Sequence, residues 1–86
     1  MLKNNLIFVK KNNEIKINLS KKIYSYKALK ETLDVFNDFC YGLIKKGNRL
    51  QITLKLRKKF NEKLAYEFCN YALGLTLQNR KNEKLL

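Results

Sequence analysis

The sequence contains no histidine, no tryptophan and no proline, and it has only two cysteines. Without histidine the chain lacks the side chain most used for acid–base catalysis near neutral pH and the commonest transition-metal ligand. Cys40 and Cys69 are too few for a cysteine-based zinc or iron–sulfur site. Seven acidic residues leave little for a carboxylate metal site. We therefore predict a protein that is not an enzyme and has no catalytic, cofactor or metal site.

Long hydrophobic segments are also absent. The apolar run nearest the N-terminus covers only Leu6–Val9, which is too short for a signal peptide, and no stretch approaches the length of a membrane span. We expect a cytoplasmic protein with no membrane partner. In that compartment Cys40 and Cys69 would be reduced, and buried structural thiols are the simpler interpretation than a redox pair.

The chain is short and strongly basic, with 86 residues and a formal net charge of +12. This length predicts one domain over residues 1–86. The charge is uneven, because residues 1–24 and residues 48–59 each carry a net charge of +5. Such a field favours an acidic partner, whether a nucleic acid, an acidic peptide or an acidic protein surface. Lysine outnumbers arginine sixteen to three, however, and specific phosphate contacts favour arginine.

The first elements are predicted to form a β-hairpin. Leu6–Val9 is typical of a strand buried on both faces, which favours a central place in the sheet, although hydropathy leaves the strand order open. Residues 10–13 suit a turn. Glu14–Leu19 alternates polar and apolar residues, the pattern of a half-buried strand.

Helical spacing of apolar residues predicts a first helix over residues 25–46. Ser25 suits its N-cap, and the lysines and glycine at residues 45–47 suit its C-terminus. The apolar stripe consists of Leu29, Leu33, Phe36, Cys40 and Leu43, flanked by Ala28, Phe39 and Ile44.

The clearest strand covers Arg49–Arg57, where nine residues alternate without a break, and a second helix is predicted over Asn61–Asn79. The inner face of that helix would contain Leu64, Phe68, Tyr71 or Ala72, and Leu75. The order ββαβα predicts an α+β two-layer sandwich, with two helices on one face of a three-stranded sheet. Residues 1–5 and 80–86 are expected to fray or to dock only with a partner.

The uncovered face of the sheet is the main candidate binding site. It would present Lys16, Asn18, Gln51, Thr53, Lys55 and Arg57. The outward positions of the best strand lack the aromatic residues on which single-stranded nucleic acids stack, so non-specific phosphate contact and a merely solvated face both stay open. The edges of the sheet could instead accept an extended peptide as an added strand.

Polar residues in or directly before the two predicted helices form a second group. They are expected to be structural or exposed, and Tyr41 and Asn70 are expected near the core, where each would hydrogen-bond to the backbone. The group consists of Tyr24, Asp38, Tyr41, Glu67 and Asn70.

Two motifs in this group resemble those of a known family. The first has the pattern Y-x-x-x-A…F-x-D-x-x-Y, formed by Tyr24, Ala28, Phe36, Asp38 and Tyr41. The second has the pattern E-F-x-N-x-x-L, formed by Glu67, Phe68, Asn70 and Leu73. Their order and spacing are similar to those of the HxsD-like proteins of His-Xaa-Ser peptide-modification systems, over roughly residues 15–78.

The sequence departs from that family at Gly74, where an acidic residue is usual, and at Gln78, where arginine is usual. The family's C-terminal helical extension is reduced to Asn79–Leu86, so a contact made through that extension would differ here.

The resemblance implies a small accessory protein without catalytic residues or cofactors, encoded beside a radical S-adenosylmethionine (SAM) enzyme and a ribosomally made precursor peptide. It would bind the precursor peptide, the radical SAM maturase or both, and its motif residues would be structural. The alternative is a basic nucleic-acid-binding domain that uses the Lys- and Arg-rich sheet face. A toxin–antitoxin or subunit-type interaction protein is a third hypothesis, and the oligomeric state is open.

Overall fold

The computed structural model describes residues 5–85. In chain order the elements are β1 (Asn5–Val9), a 3-10 turn (Lys10–Asn12), β2 (Glu14–Leu19), α1 (Tyr26–Val35), β3 (Cys40–Lys46), β4 (Leu50–Leu56) and α2 (Glu62–Leu85). The expected fraying at residues 1–4 and 86 lies outside the described residues. Residues 80–85 continue α2, so the second helix is longer than predicted, and fraying of its last turns stays a prediction.

The four strands form one antiparallel sheet in the order β1-β2-β4-β3. The α+β class is confirmed, but the predicted count of three strands is wrong. The central place favoured for the first strand is also wrong, because β1 lies at an edge. Its apolar run divides between the two faces: Phe8 packs against the ring of Phe60, while Ile7 points away from the helices and is 59% exposed.

The first predicted helix is too long by a whole strand. α1 ends at Val35, the Phe36 N–H donates to the carbonyl of Thr32, and a turn leads into β3. Cys40 and Leu43 satisfy helical spacing, yet β3 is a strand in which Cys40, Gly42 and Ile44 face the helices. The lysines and glycine at residues 45–47 lead into the β3–β4 turn instead of ending a helix, and the Gly47 N–H donates to the Arg49 carbonyl there.

The predicted N-cap of α1 is confirmed. The Ser25 hydroxyl accepts a hydrogen bond from the Ala28 N–H at 3.0 Å, which satisfies one of the free donors of the first helical turn. The Ser25 N–H donates in turn to the Thr76 hydroxyl of α2 at 3.2 Å, and that hydroxyl donates to the Ala72 carbonyl at 2.8 Å. These bonds connect the start of α1 to the middle of α2.

The core lies between the two helices and one face of the sheet. The strands contribute alternating residues of β2 and β4, as predicted from their period of two. The predicted inner face of α2 is confirmed at Leu64, Phe68 and Ala72, whereas Tyr71 is 41% exposed. The buried residues of β2 and β4 are Ile15, Ile17, Leu19, Leu50, Ile52, Leu54 and Leu56, and β3 adds Cys40.

Asn13 connects the turn between β1 and β2 to the end of β4. It adopts the left-handed conformation (φ 54°, ψ 45°), which asparagine tolerates better than most residues. Its side-chain amide donates to the carbonyls of Leu56 at 2.9 Å and Lys58 at 2.6 Å, and its own carbonyl accepts from the Leu56 N–H at 3.0 Å. The basic segment after β4 is thereby held beside the first hairpin.

Candidate functional site

The candidate site is the outer face, defined here as the side of the sheet that points away from α1 and α2. All six residues predicted for this face lie on it, and two pairs are direct cross-strand neighbours. Lys16 of β2 lies opposite Thr53 of β4, and Asn18 lies opposite Gln51. Lys55 and Arg57 continue this side of the chain at the far end of β4. Their role in binding stays a prediction.

An open depression lies over the middle of the outer face. It has a volume of about 510 Å³ and reaches from β1 to β4. Four of the predicted residues line it together with a residue of β1: Ile7, Lys16, Asn18, Gln51 and Thr53. The structure thus brings these four together, while Lys55 and Arg57 lie outside the depression.

β3 adds three residues to the outer face that sequence reasoning placed in a helix. Tyr41, Leu43 and Lys45 lie opposite Lys55, Thr53 and Gln51, on the outer side of the sheet. Leu43 is 80% exposed and Tyr41 is 51% exposed, so the expectation that Tyr41 lies near the core is wrong.

A row of four cross-strand neighbours crosses the outer face. Leu43 on β3 lies opposite Thr53 on β4, Thr53 opposite Lys16 on β2, and Lys16 opposite Ile7 on β1. Apolar side chains therefore stand at both ends of the row, with a polar and a cationic residue between them. Such an arrangement suits a partner that is partly apolar and partly acidic.

The outer face is strongly cationic. Among residues 5–85 it carries one acidic residue, Glu14, and five basic ones: Lys16, Lys45, Arg49, Lys55 and Arg57. In the described part of the chain no other acidic residue lies on a strand, because the remaining ones belong to the helices or to the turn before β3. This separation of charge gives the outer face a positive field.

Several of these cations are held in place by neighbours. Lys55 pairs with Glu14 at 3.4 Å, and the Arg49 side chain donates to the Asn18 side chain. Arg57 donates to the Asn37 carbonyl at 2.6 Å, and its guanidinium lies 4.8 Å from the centroid of the Tyr41 ring. Asn37 and Tyr41 thus fix the position of the Arg57 side chain at this end of the face.

The residues of the family resemblance divide into two groups. Tyr24, Ala28 and Phe68 are buried. Phe36 and Leu73 are half-buried against the core, and the Phe36 ring lies 5.5 Å from that of Phe68. These five residues contribute to the core or pack against it, and the structural role expected for the motif stays a prediction.

The polar members of the same motifs point to solvent. Asp38, Tyr41, Glu67 and Asn70 are all exposed, so the expectation that Asn70 lies near the core is wrong. In α2, Asn70 follows two buried residues, Phe68 and Cys69, and the turn of the helix carries it outward. The side chains of Asp38, Glu67 and Asn70 therefore lie outside the core.

The two cysteines are buried and do not form a disulfide with each other. Burial raises the pKa of the Cys69 thiol to about 11. Burial also raises the pKa of Cys40, against the smaller opposing effect of the nearby Arg57. Within residues 5–85, no group of three or more His, Cys, Asp or Glu side chains is placed to hold a metal ion.

Both thiols are expected to resist modification in the folded protein, because the reactive thiolate is scarce when the pKa is high and the sulfur is covered. At pH 8, reaction with Ellman's reagent should be about 100-fold slower than in urea, where local opening no longer limits access. A Leu43→Cys variant supplies the control, since its added thiol should react at once. Rapid native labelling of Cys69 by mass spectrometry would contradict its burial.

Together these features define a two-layer α+β domain in which helices cover one face of the sheet, while no element within residues 5–85 covers the other, basic face. Comparisons of the chain with protein-family models, with curated proteins and with solved structures find no match. Neither α1 nor α2, as far as the structure describes them, is long and apolar enough to cross a membrane.

Proposed function

We propose that this protein is a non-catalytic accessory protein of a ribosomal-peptide modification system and that its outer face binds a partner. The partner is the precursor peptide, its radical SAM maturase or both. The exposed row from Leu43 to Ile7 carries the binding part of the proposal, and the resemblance of the helix motifs to HxsD-like proteins supplies the partner class.

The exposed apolar side chains of the outer face give the physical argument for binding. Leu43 is 80% exposed and Ile7 is 59% exposed, and both flank a depression on a face that no described element covers. Exposed apolar groups with a polar surround are typical of interaction surfaces, because a partner that covers them removes apolar area from water. The five cations around them would select an acidic surface and speed its approach.

A second function is favoured by one observation. Tyr41 and Arg57 form a stacked pair beside a cationic strand, and single-stranded nucleic acids bind to surfaces that combine aromatic rings with basic side chains. The alternative is therefore a nucleic-acid-binding domain that uses the same outer face.

The test is titration of the purified chain with the precursor peptide and the maturase encoded beside it. We expect binding to at least one of them at tens of micromolar or tighter. Lys16→Glu should weaken it about tenfold, since that exposed cation lies at the centre of the row. Lys27→Glu on α1, also exposed, is the matched control and should bind normally.

Two results would contradict the proposal. The first is no binding to either partner at these concentrations. The second is binding to mixed-sequence oligonucleotides at about 50 mM salt that weakens steeply as salt is added, which is the behaviour of phosphate contacts and would favour the second function.

A further inference from the structure

We propose that the free edge of β3 binds an extended acidic peptide as a fifth strand of the sheet. This inference deepens the proposed function and rests on it, because it names the edge and the chemistry through which the precursor peptide or a segment of the maturase would dock. Three observations support it: the direction of the backbone N–H and C=O groups of β3, the lack in β3 of features that protect an edge strand, and the charged residues beside it.

The phase of the ladder shows which backbone groups of β3 are free. The Arg57 N–H donates to the Phe39 carbonyl, and the Gly47 N–H donates to the Arg49 carbonyl. Hydrogen-bonded pairs alternate with non-hydrogen-bonded pairs in an antiparallel ladder. Between these two bonds, the residues of β3 whose backbone N–H and C=O groups point toward β4 are therefore residues 41, 43 and 45. The backbone groups of Gly42, Ile44 and Lys46 therefore point to the free edge.

β3 lacks most of the devices that protect edge strands. Natural edges are commonly guarded by proline, by a bulge or by a charge in the middle of the strand. β3 pairs with β4 without a break from Cys40 to Lys46, has Gly42 and Leu43 at its centre, and carries its lysines only at one end. The other edge, β1, is shorter, with five residues against seven.

The side chains beside the edge specify the ligand. Along the outer side of β3 the order is Tyr41, with Arg57 over its ring, then the exposed Leu43, then Lys45. A strand added here would place alternate side chains next to these three. The complementary pattern is an acidic residue, an apolar residue and an acidic residue at every second position.

The same charges disfavour a second copy of the chain on this edge. In an antiparallel pair of β3 strands centred on Leu43, Lys45 of one copy would lie opposite Tyr41 of the other, whose ring already carries Arg57. Like charges would then meet twice. A nucleic acid is less suited to the edge itself, because Leu43 at the centre of β3 is aliphatic and offers no surface for base stacking.

The probe is a capped peptide of sequence Thr-Glu-Thr-Leu-Thr-Glu-Thr, titrated into the isotope-labelled full chain and followed by NMR. We expect the amide signals of Gly42, Ile44 and Lys46 to shift and their hydrogen exchange to slow, because these N–H groups gain acceptors. Two control peptides should each bind at least tenfold more weakly. In the first, lysine replaces both glutamates. In the second, alternate residues are N-methylated along the edge that meets β3.

Variants of the protein give the second arm. Leu43→Asp should weaken the peptide at least tenfold by placing an acid beside an acidic strand. Leu77→Asp on α2, where the leucine is 55% exposed, is the matched control and should bind normally. Circular dichroism establishes that both variants are folded.

Three outcomes would overturn the inference: no change at the three edge amides, equal binding of the N-methylated peptide, or stronger response of the same residues to a dT12 oligonucleotide. Failure of the proposed function is separable. If the natural partners bind wild type and Leu43→Asp equally, the function stands and the edge is wrong. If the probe binds at the edge while neither natural partner binds, the edge is right and the function is wrong.

Discussion

Replacing Phe68 with alanine is expected to leave a large fraction of the molecules unfolded at room temperature. The side chain is fully buried, lies in the first half of α2 and makes an edge-to-face contact with Phe36 at 5.5 Å. Removing such a ring typically costs about 3–5 kcal/mol. Small domains have a free energy of unfolding of about 5–15 kcal/mol, and one of this length belongs to the low end. Urea denaturation followed by circular dichroism measures the change.

Tyr66→Ala is the matched control, since it truncates another aromatic ring of the same helix. Tyr66 is 54% exposed and makes a tilted contact with Phe8 at 6.4 Å, so we expect a loss of about 1 kcal/mol or less. Equal denaturation midpoints for the two variants would show that Phe68 is not the centre of the core.

Replacing Gly42 with alanine is expected to destabilise the protein by about 1–3 kcal/mol, the usual cost of overpacking. A Cβ atom at this position would come closer than 3.0 Å to the backbone carbonyl oxygen of Thr53 on β4. A backbone atom in the middle of a sheet cannot turn aside as a flexible side chain can. The expected loss of stability is informative, because replacing a glycine within a strand by alanine ordinarily stabilises a protein by about 0.5–1 kcal/mol.

Gly74→Ala supplies the comparison. Gly74 lies within α2, and nothing stands within 4 Å of the position its Cβ would take. We expect this variant to gain about 1 kcal/mol from helix propensity. If thermal denaturation showed that Gly42→Ala also gains stability, the close approach of β3 and β4 at Gly42 would be refuted.

Gly42 also explains why β3 could not be predicted from the sequence. The inward side of β3 is Cys40, Gly42 and Ile44, so a glycine stands where a strand pattern needs an apolar residue. Meanwhile Phe36, Cys40 and Leu43 happen to follow helical spacing. The glycine hid the alternation of apolar residues that marks a strand, while the apolar residues matched the spacing of 3.6 residues that marks a helix. A glycine inside the predicted helix was nevertheless evidence against that helix.

The elements that were predicted correctly have unbroken local patterns. β2 and β4 alternate throughout, α2 has a continuous apolar stripe, and the Ser25 N-cap is a short-range signal. The position of β1 at the edge of the sheet depends instead on which strand pairs with the side of β2 that faces away from β1. That choice is made by β4, more than thirty residues later, and no local pattern contains it.

The candidate site was predicted to the extent that β2 and β4 form it. Lys16, Asn18, Gln51 and Thr53 were found because alternation assigns each residue a face. Leu43, the most exposed apolar residue of the face, was missed because its strand was missed.

The strand order carries a consequence for how the chain acquires its structure. β4 lies between β2 and β3 and pairs with both, so Glu14 meets Lys55 and Leu19 meets Leu50 only after most of the chain exists. During synthesis the first hairpin and α1 emerge with the apolar side of β2 unsupported. Contacts of such long sequence separation slow folding, and they join the two halves into one cooperative step. A nascent chain that stalls before Leu50 is therefore expected to expose an unpaired edge of β2, which is prone to aggregation.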